Sequence, residues 1–134
     1  MTGRFDTAST AVVFYPDGGE DRMYSLERAQ APHEQQRGLM DRRTMVENGG
    51  MIFINQDEEI RRFWMRNTVL PLDLIFLDSL GRIVSFRENC PPFSDELEPS
   101  TGPARYVIEL RAGQVADMGL RPGDRAELLN MPTP

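Results

Sequence analysis

Phe63-Trp64-Met65-Arg66-Asn67-Thr68-Val69-Leu70-Pro71-Leu72-Asp73-Leu74-Ile75-Phe76-Leu77-Asp78-Ser79-Leu80-Gly81-Arg82-Ile83-Val84 holds the single Trp of the chain, its longest apolar run and its best-defined turn. Strand alternation puts Phe63 and Met65 on one face and Trp64 and Arg66 on the other. It likewise sets Leu72, Leu74 and Phe76 against Asp73, Ile75 and Leu77. Apart from Asp73, the second segment is apolar on both faces, so it must be covered on both sides and belongs in the interior. Asn67-Thr68 interrupts the alternation, and Pro71 excludes a helix running through the join. Asp78-Ser79-Leu80-Gly81 has Asp first and Gly last, as a four-residue turn prefers. Residues 72–77 and 82–87 are therefore expected to form an antiparallel hairpin.

Upstream of this stretch, residues 1–10 are small and polar and are expected to be frayed, leaving 11–134 as one β domain. Residues 11–15 and 22–29 read as a hairpin around Pro16-Asp17-Gly18-Gly19. Pro32 and Glu34 suit the first turn of a short helix over 32–37, which Gly38 can close in a left-handed conformation. Leu39 and Met40 then fold back into the core, residues 41–48 are irregular, 51–54 form a short buried strand and 55–59 an acidic connection. Downstream, residues 88–104 lose all periodicity among four prolines and four acids. A connection of that length in a small domain is more often functional or mobile than merely linking. Residues 106–110 resume alternation, 114–118 make a helical turn capped by Gly119, and 125–129 form a last strand after the Arg121-Pro122-Gly123-Asp124 turn. The count is seven or eight strands and two short helices.

Composition narrows the partners. The chain of 134 residues carries a net charge of -6, the opposite of the basic face that a nucleic-acid phosphate backbone requires. No run approaches the roughly 20 apolar residues of a membrane helix, and Met1-Thr2-Gly3-Arg4 is unlike a signal peptide. One Cys and one His build neither an internal disulfide nor a zinc site of the usual ligands. Met40, Met45, Met51 and Met65 lack the short repeated spacing of a copper tract and read as adaptable core filler. His33 reads as a solvated residue of the first helical turn. No cofactor or metal is expected.

Two acids stand out because they interrupt the most apolar strands. Asp73 shares a face with Ile75 and Leu77, Glu109 shares one with Val107, and a buried carboxylate needs a partner or a proton. Either the two form an acid–base pair, as in carbohydrate-cleaving enzymes, or Arg66, Arg62 or Asn67 satisfies them within the fold. Trp64 flanked by Arg62 and Arg66 forms either an aromatic plate for an anion or sugar ring, or a core residue covered by two Arg stems. Cys90 has only Arg87 nearby to activate it. Gly113, Gly119 and Gly123 lack the strand-to-helix setting of a phosphate loop.

A resemblance covers most of the chain. Phe63-Trp64-Met65-Arg66-Asn67-Thr68 with Pro71-Leu72-Asp73, together with Arg37-Gly38-Leu39-Met40, Gly50-Met51-Ile52-Phe53, Tyr106-Val107-Ile108-Glu109-Leu110, Ala112-Gly113 and Gly119-Leu120-Arg121-Pro122-Gly123-Asp124, resembles the family catalogued as domain of unknown function 192, over about residues 22–129. The family's usual Lys is Arg66 here, and its leucine after Gly-Met is Ile52. The resemblance implies a small, mostly β, often exported protein, and favours a closed, jelly-roll-like antiparallel barrel or sandwich with one or two short helices packed on it. It brings no established activity, cofactor or catalytic residue. Two functional classes follow. One is a non-catalytic binding module for a small polar or saccharide-like ligand or a protein partner, using Trp64, Arg66, Asn67, Asp73, Glu109 and the 88–104 loop. The other is a hydrolase or lyase using Asp73 and Glu109.

Overall fold

The chain runs through β1 (Thr10–Tyr15), β2 (Arg22–Ala29), α1 (Pro32–Arg37), β3 (Gly49–Glu59), β4 (Arg62–Phe63), β5 (Leu72–Leu77), β6 (Ile83–Cys90), β7 (Glu98–Pro99), β8 (Ala104–Arg111), α2 (Gln114–Met118) and β9 (Arg125–Leu129). The computed structural model describes residues 10–132. Seven strands share one sheet in the order β6-β5-β8-β3-β2-β1-β9, and β4 pairs with β7 in a separate ribbon.

The long sheet curls until the start of β6 meets the start of β9 at one end. Arg82 bridges Arg125, and backbone bonds from Ile83 to Asp124, from Gly123 to Ile83 and from Ala126 to Gly81 span 2.7–2.8 Å. Gly81, at φ +85, sits where any Cβ would run into the Ala126 carbonyl; the closing contact requires a residue without one. The result is a mainly β half-barrel with two short helices.

Curling gives the sheet two different faces, and both are buried at its centre. One apolar cluster draws Ile83, Ile75, Ile108, Ile52, Tyr24 and Ala126 from strands at both edges and the middle, so it fills the concave side, where Val115 and Met118 of α2 plug it. A second cluster of Leu39, Met51, Phe53, Met65, Leu74, Phe76 and Val107 lies on the convex side. This explains why every residue of β5 is buried. At about 1.5–3 kcal/mol for each large side chain withdrawn from water, this strand carries a sizeable share of the folding free energy.

The Asp78 turn forms as its residues imply: the Asp78 carboxylate accepts from the Leu80 and Arg82 N–H groups at 2.9 Å, and the β5–β6 hairpin is antiparallel. The expected frayed segment 1–10 lies outside the described residues except for Thr10, which opens β1 and is fully buried. Three expectations need correction. β3 extends to Glu59, because its exposed polar end stays in register with Ala104 of β8 across a bulge. β2 and β3 pair in parallel, since α1 and the following loop carry the chain back to the end where β2 began. Segment 88–104 is tied down: β7 pairs with β4, Met65 N–H donates to the Ser94 carbonyl at 2.9 Å, and Phe93 N–H donates to the Thr68 carbonyl at 3.1 Å.

Candidate functional site

The two acids of the apolar strands meet opposite fates. Paired residues of neighbouring strands point the same way; Asp73 pairs with Leu110 while Leu74 pairs with Glu109. Asp73 therefore faces the concave core and Glu109 the convex one, and the proposed acid–base pair is not assembled.

Asp73 is fully buried and is satisfied by the backbone. Its Oδ1 accepts from Asn89 N–H at 2.8 Å, and its Oδ2 accepts from Gly113 N–H at 3.1 Å and Val115 N–H at 2.9 Å. Asn89 stands at φ +54 where β6 carries an extra residue opposite β5. One carboxyl thus fastens a β-bulge and the start of α2 to the central strand. The expected Arg66 partnership does not form. Arg66 Nε donates to Asp95 at 3.0 Å, and its guanidinium lies 3.8 Å above the centre of the Trp64 ring. Asn67, at φ +55, uses its backbone carbonyl to accept from Asp41 N–H at 2.9 Å, so it turns the chain after the signature.

Glu109 is only 5% exposed, and its Oε1 has no hydrogen-bond partner among the described residues. Burial alone pushes its carboxyl up to about 8. It is therefore a neutral acid near pH 7, with an O–H to donate.

Glu109 lines a cleft of about 500 Å³ bounded by residues 35–40 of α1 and its exit, by Phe53 and Asn55 of β3, and by the 60–64 segment with Thr68. Its walls are aromatic: the Phe53 and Phe63 rings meet edge to face at 4.7 Å, and Trp64 is 40% exposed at the rim. Gly38 makes the approach feasible. At φ +49, it places α1 so close that a Cβ would lie 3.2 Å from the Phe53 ring and 3.6 Å from Glu109 Oε1. Of the five residues singled out from sequence, the cleft unites Trp64 and Glu109. Arg66, Asn67 and Asp73 lie outside its lining, as does the 88–104 loop.

Arg61 is held in place by Asp57 Oδ1 at 2.9 Å and by the Ala104 carbonyl at 2.8 Å. Arg37 and Arg62 are also lining residues, and their guanidinium groups have no partner among the described residues. Cys90 is buried; burial first, then the carboxyls of Glu98, Asp73 and Glu109, push its thiol up to about 12, which leaves no nucleophilic thiolate near neutrality. Met51 and Met65 pack in the convex cluster, with Met45 against it.

Residues 13–128 match the family model DUF192, described as "Uncharacterized ACR". The chain belongs to the DUF192 family. No curated protein matches it. Among solved structures, a protein described as a "putative transcription regulator" from Sinorhizobium meliloti 1021 is 36% identical, with a TM-score of 0.88 over 96% of this chain and 100% of its own. A protein of unknown function from Novosphingobium aromaticivorans DSM 12444 is 35% identical, with a TM-score of 0.83 over 87% of this chain and 83% of its own.

Four of the blocks that mark this DUF192 chain converge in space. Gly38 to Met40, Phe53, Phe63 and Trp64, and Glu109 come from four separate blocks and line one cleft. Sequence reasoning passed over Gly38, Phe53 and Phe63 as site residues, and the shared block membership was the available signal.

Proposed function

We propose that this protein is a non-catalytic binding domain that seats a small polar ligand in the cleft between α1 and the 60–64 segment. The observation that carries the reading is the Glu109 carboxyl, buried without a hydrogen-bond partner for Oε1 where the cleft meets the core. A buried polar group left unpaired costs about 1–3 kcal/mol, and an apolar residue would avoid that cost. A ligand that completes the hydrogen bond gives the carboxyl a use. The setting also suits recognition, with aromatic walls for the body of a ligand and few, placed polar groups to orient it. Saccharide-like rings fit this description through the exposed face of Trp64.

The hydrolase or lyase reading needs two carboxyls facing one substrate, and Asp73 and Glu109 face opposite ways. The regulator description of the Sinorhizobium neighbour draws no support from this chain, whose net charge of -6 opposes a phosphate backbone.

A thermal-shift screen of neutral sugars, polyols, small acids and small amides tests the proposal. A binder at a hundredfold its Kd stabilises a fold by about 2.7 kcal/mol. At least one compound should raise the melting temperature of the wild type and leave Glu109→Leu unmoved. Silence across the panel, or equal shifts in Glu109→Leu, would contradict the reading.

A further inference from the structure

The charge around the cleft narrows the ligand class, on the assumption that the cleft binds at all. Three arginines are among its lining residues, Arg37, Arg61 and Arg62, and Glu109 is the one carboxylic residue in the lining. Arg61 spends its charge on Asp57 and Glu59, at 2.9 and 3.6 Å. The side chains of Arg37 and Arg62, both exposed, have no hydrogen-bond or ion-pair partner among the described residues. A cationic ligand would meet two unneutralised positive groups. A neutral one would leave them as they are. An anion satisfies both, because a guanidinium fork matches a carboxylate or phosphate and stays charged at every accessible pH.

Glu109 fits the same ligand. An O–H buried beside the cleft donates a short, strong hydrogen bond to an anionic oxygen, whereas an ionised carboxylate in that place would repel it. We infer that the cleft takes a small organic carboxylate, whose acidic oxygen receives the Glu109 O–H and whose charge is met by Arg37 and Arg62. The body of the ligand lies against Phe63 and Trp64.

Binding then depends on pH through one group. Of the ionisable residues on its side of the sheet, Arg37, Arg61 and Arg62 line the same cleft, Arg111 lies two residues along β8, and β6 supplies Arg87, across Leu74 from Glu109, and Cys90. The guanidinium groups do not titrate, and the Cys90 thiol, up at about 12, remains neutral. Loss of the Glu109 proton therefore removes a donor and adds a repelling charge.

Two matched pairs of probes test this by calorimetry: glucuronate against glucose, and phenylacetate against phenylacetamide. At least one acid should bind at about pH 6.5, its neutral counterpart roughly tenfold or more weaker, and its affinity should fall roughly tenfold or more by about pH 9.5, with the fold checked by circular dichroism at both. Glu109→Gln keeps an N–H donor and should bind the acid with little pH dependence, and Arg62→Gln should weaken it at both pH values. Equal binding of the neutral probes, or an affinity flat with pH in the wild type, overturns the anion inference and leaves a binding cleft standing. Silence of all four probes also overturns it, and the broader screen above then decides the binding reading separately.

Discussion

Asp73 and Glu109 sit on neighbouring strands, one residue out of step, and that single step sends them to opposite faces of the sheet. On the concave side, three backbone N–H groups converge on Asp73. On the convex side, Glu109 Oε1 finds no donor or acceptor among the described residues, and burial holds the carboxyl neutral. The same sequence signal, an acid in an apolar strand, thus marks a structural fastener in one place and an open recognition group in the other. What separates them is the supply of backbone donors: a bulge and a helix start lie against one, an aromatic-walled cleft against the other.

The comparison is broken most readily through stability. Asp73→Ala should leave three N–H groups without their acceptor, one buried and two part-buried, and cost roughly 3–5 kcal/mol in urea unfolding. Glu109→Leu should stay within about 1 kcal/mol of the wild type at neutral pH, or exceed it, because it removes a polar group that already lacks a partner. Similar large losses for both would mean that Glu109 is also a fastener.

A second contrast lies in pH dependence. The Glu109 carboxyl is raised from 4.5 to about 8 by burial, so between these values the folded protein holds a proton that the unfolded chain has released. Stability must then fall as pH rises through that window, by up to about 1.4 kcal/mol per pH unit at the steepest. Glu109→Gln should remove that fall, seen in melts across the range.

The smallest effect concerns Arg66, itself half-exposed, whose partners are the exposed Asp95 and the Trp64 ring. Arg66→Ala should cost under about 1 kcal/mol, and combining it with Asp73→Ala should be additive within about 0.5 kcal/mol. A larger coupling would restore the partnership that the sequence suggested.

Much of the fold was legible because it depends on local chemistry. Residues 72–77 announced their double burial by being apolar at both alternation phases. Asp78 and Gly81 announced the turn, and Pro32 and Gly38 the limits of α1. Parallel pairing of β2 with β3 was not legible, since it depends on where the loop after α1 returns the chain. Nor was the polar end of β3, whose strand pairing is imposed by β8 rather than by its own residues. At the site, alternation correctly turned Trp64 away from the core side of Met65. The partner of Asp73 was sought among side chains, yet it is backbone N–H, which carries no sequence mark. The cleft itself joins residues 35–40, 53–55, 60–64 and 109, and such separation hides a pocket from any local pattern.

Glu109 is a neutral acid beside the cleft, and nuclear magnetic resonance of its side-chain carboxyl carbon across a pH titration tests that directly. With the signal assigned by its absence in Glu109→Gln, the account predicts a midpoint of about 8. A midpoint in the ordinary glutamate range of about 4–5 would show a solvated or paired carboxylate and contradict it.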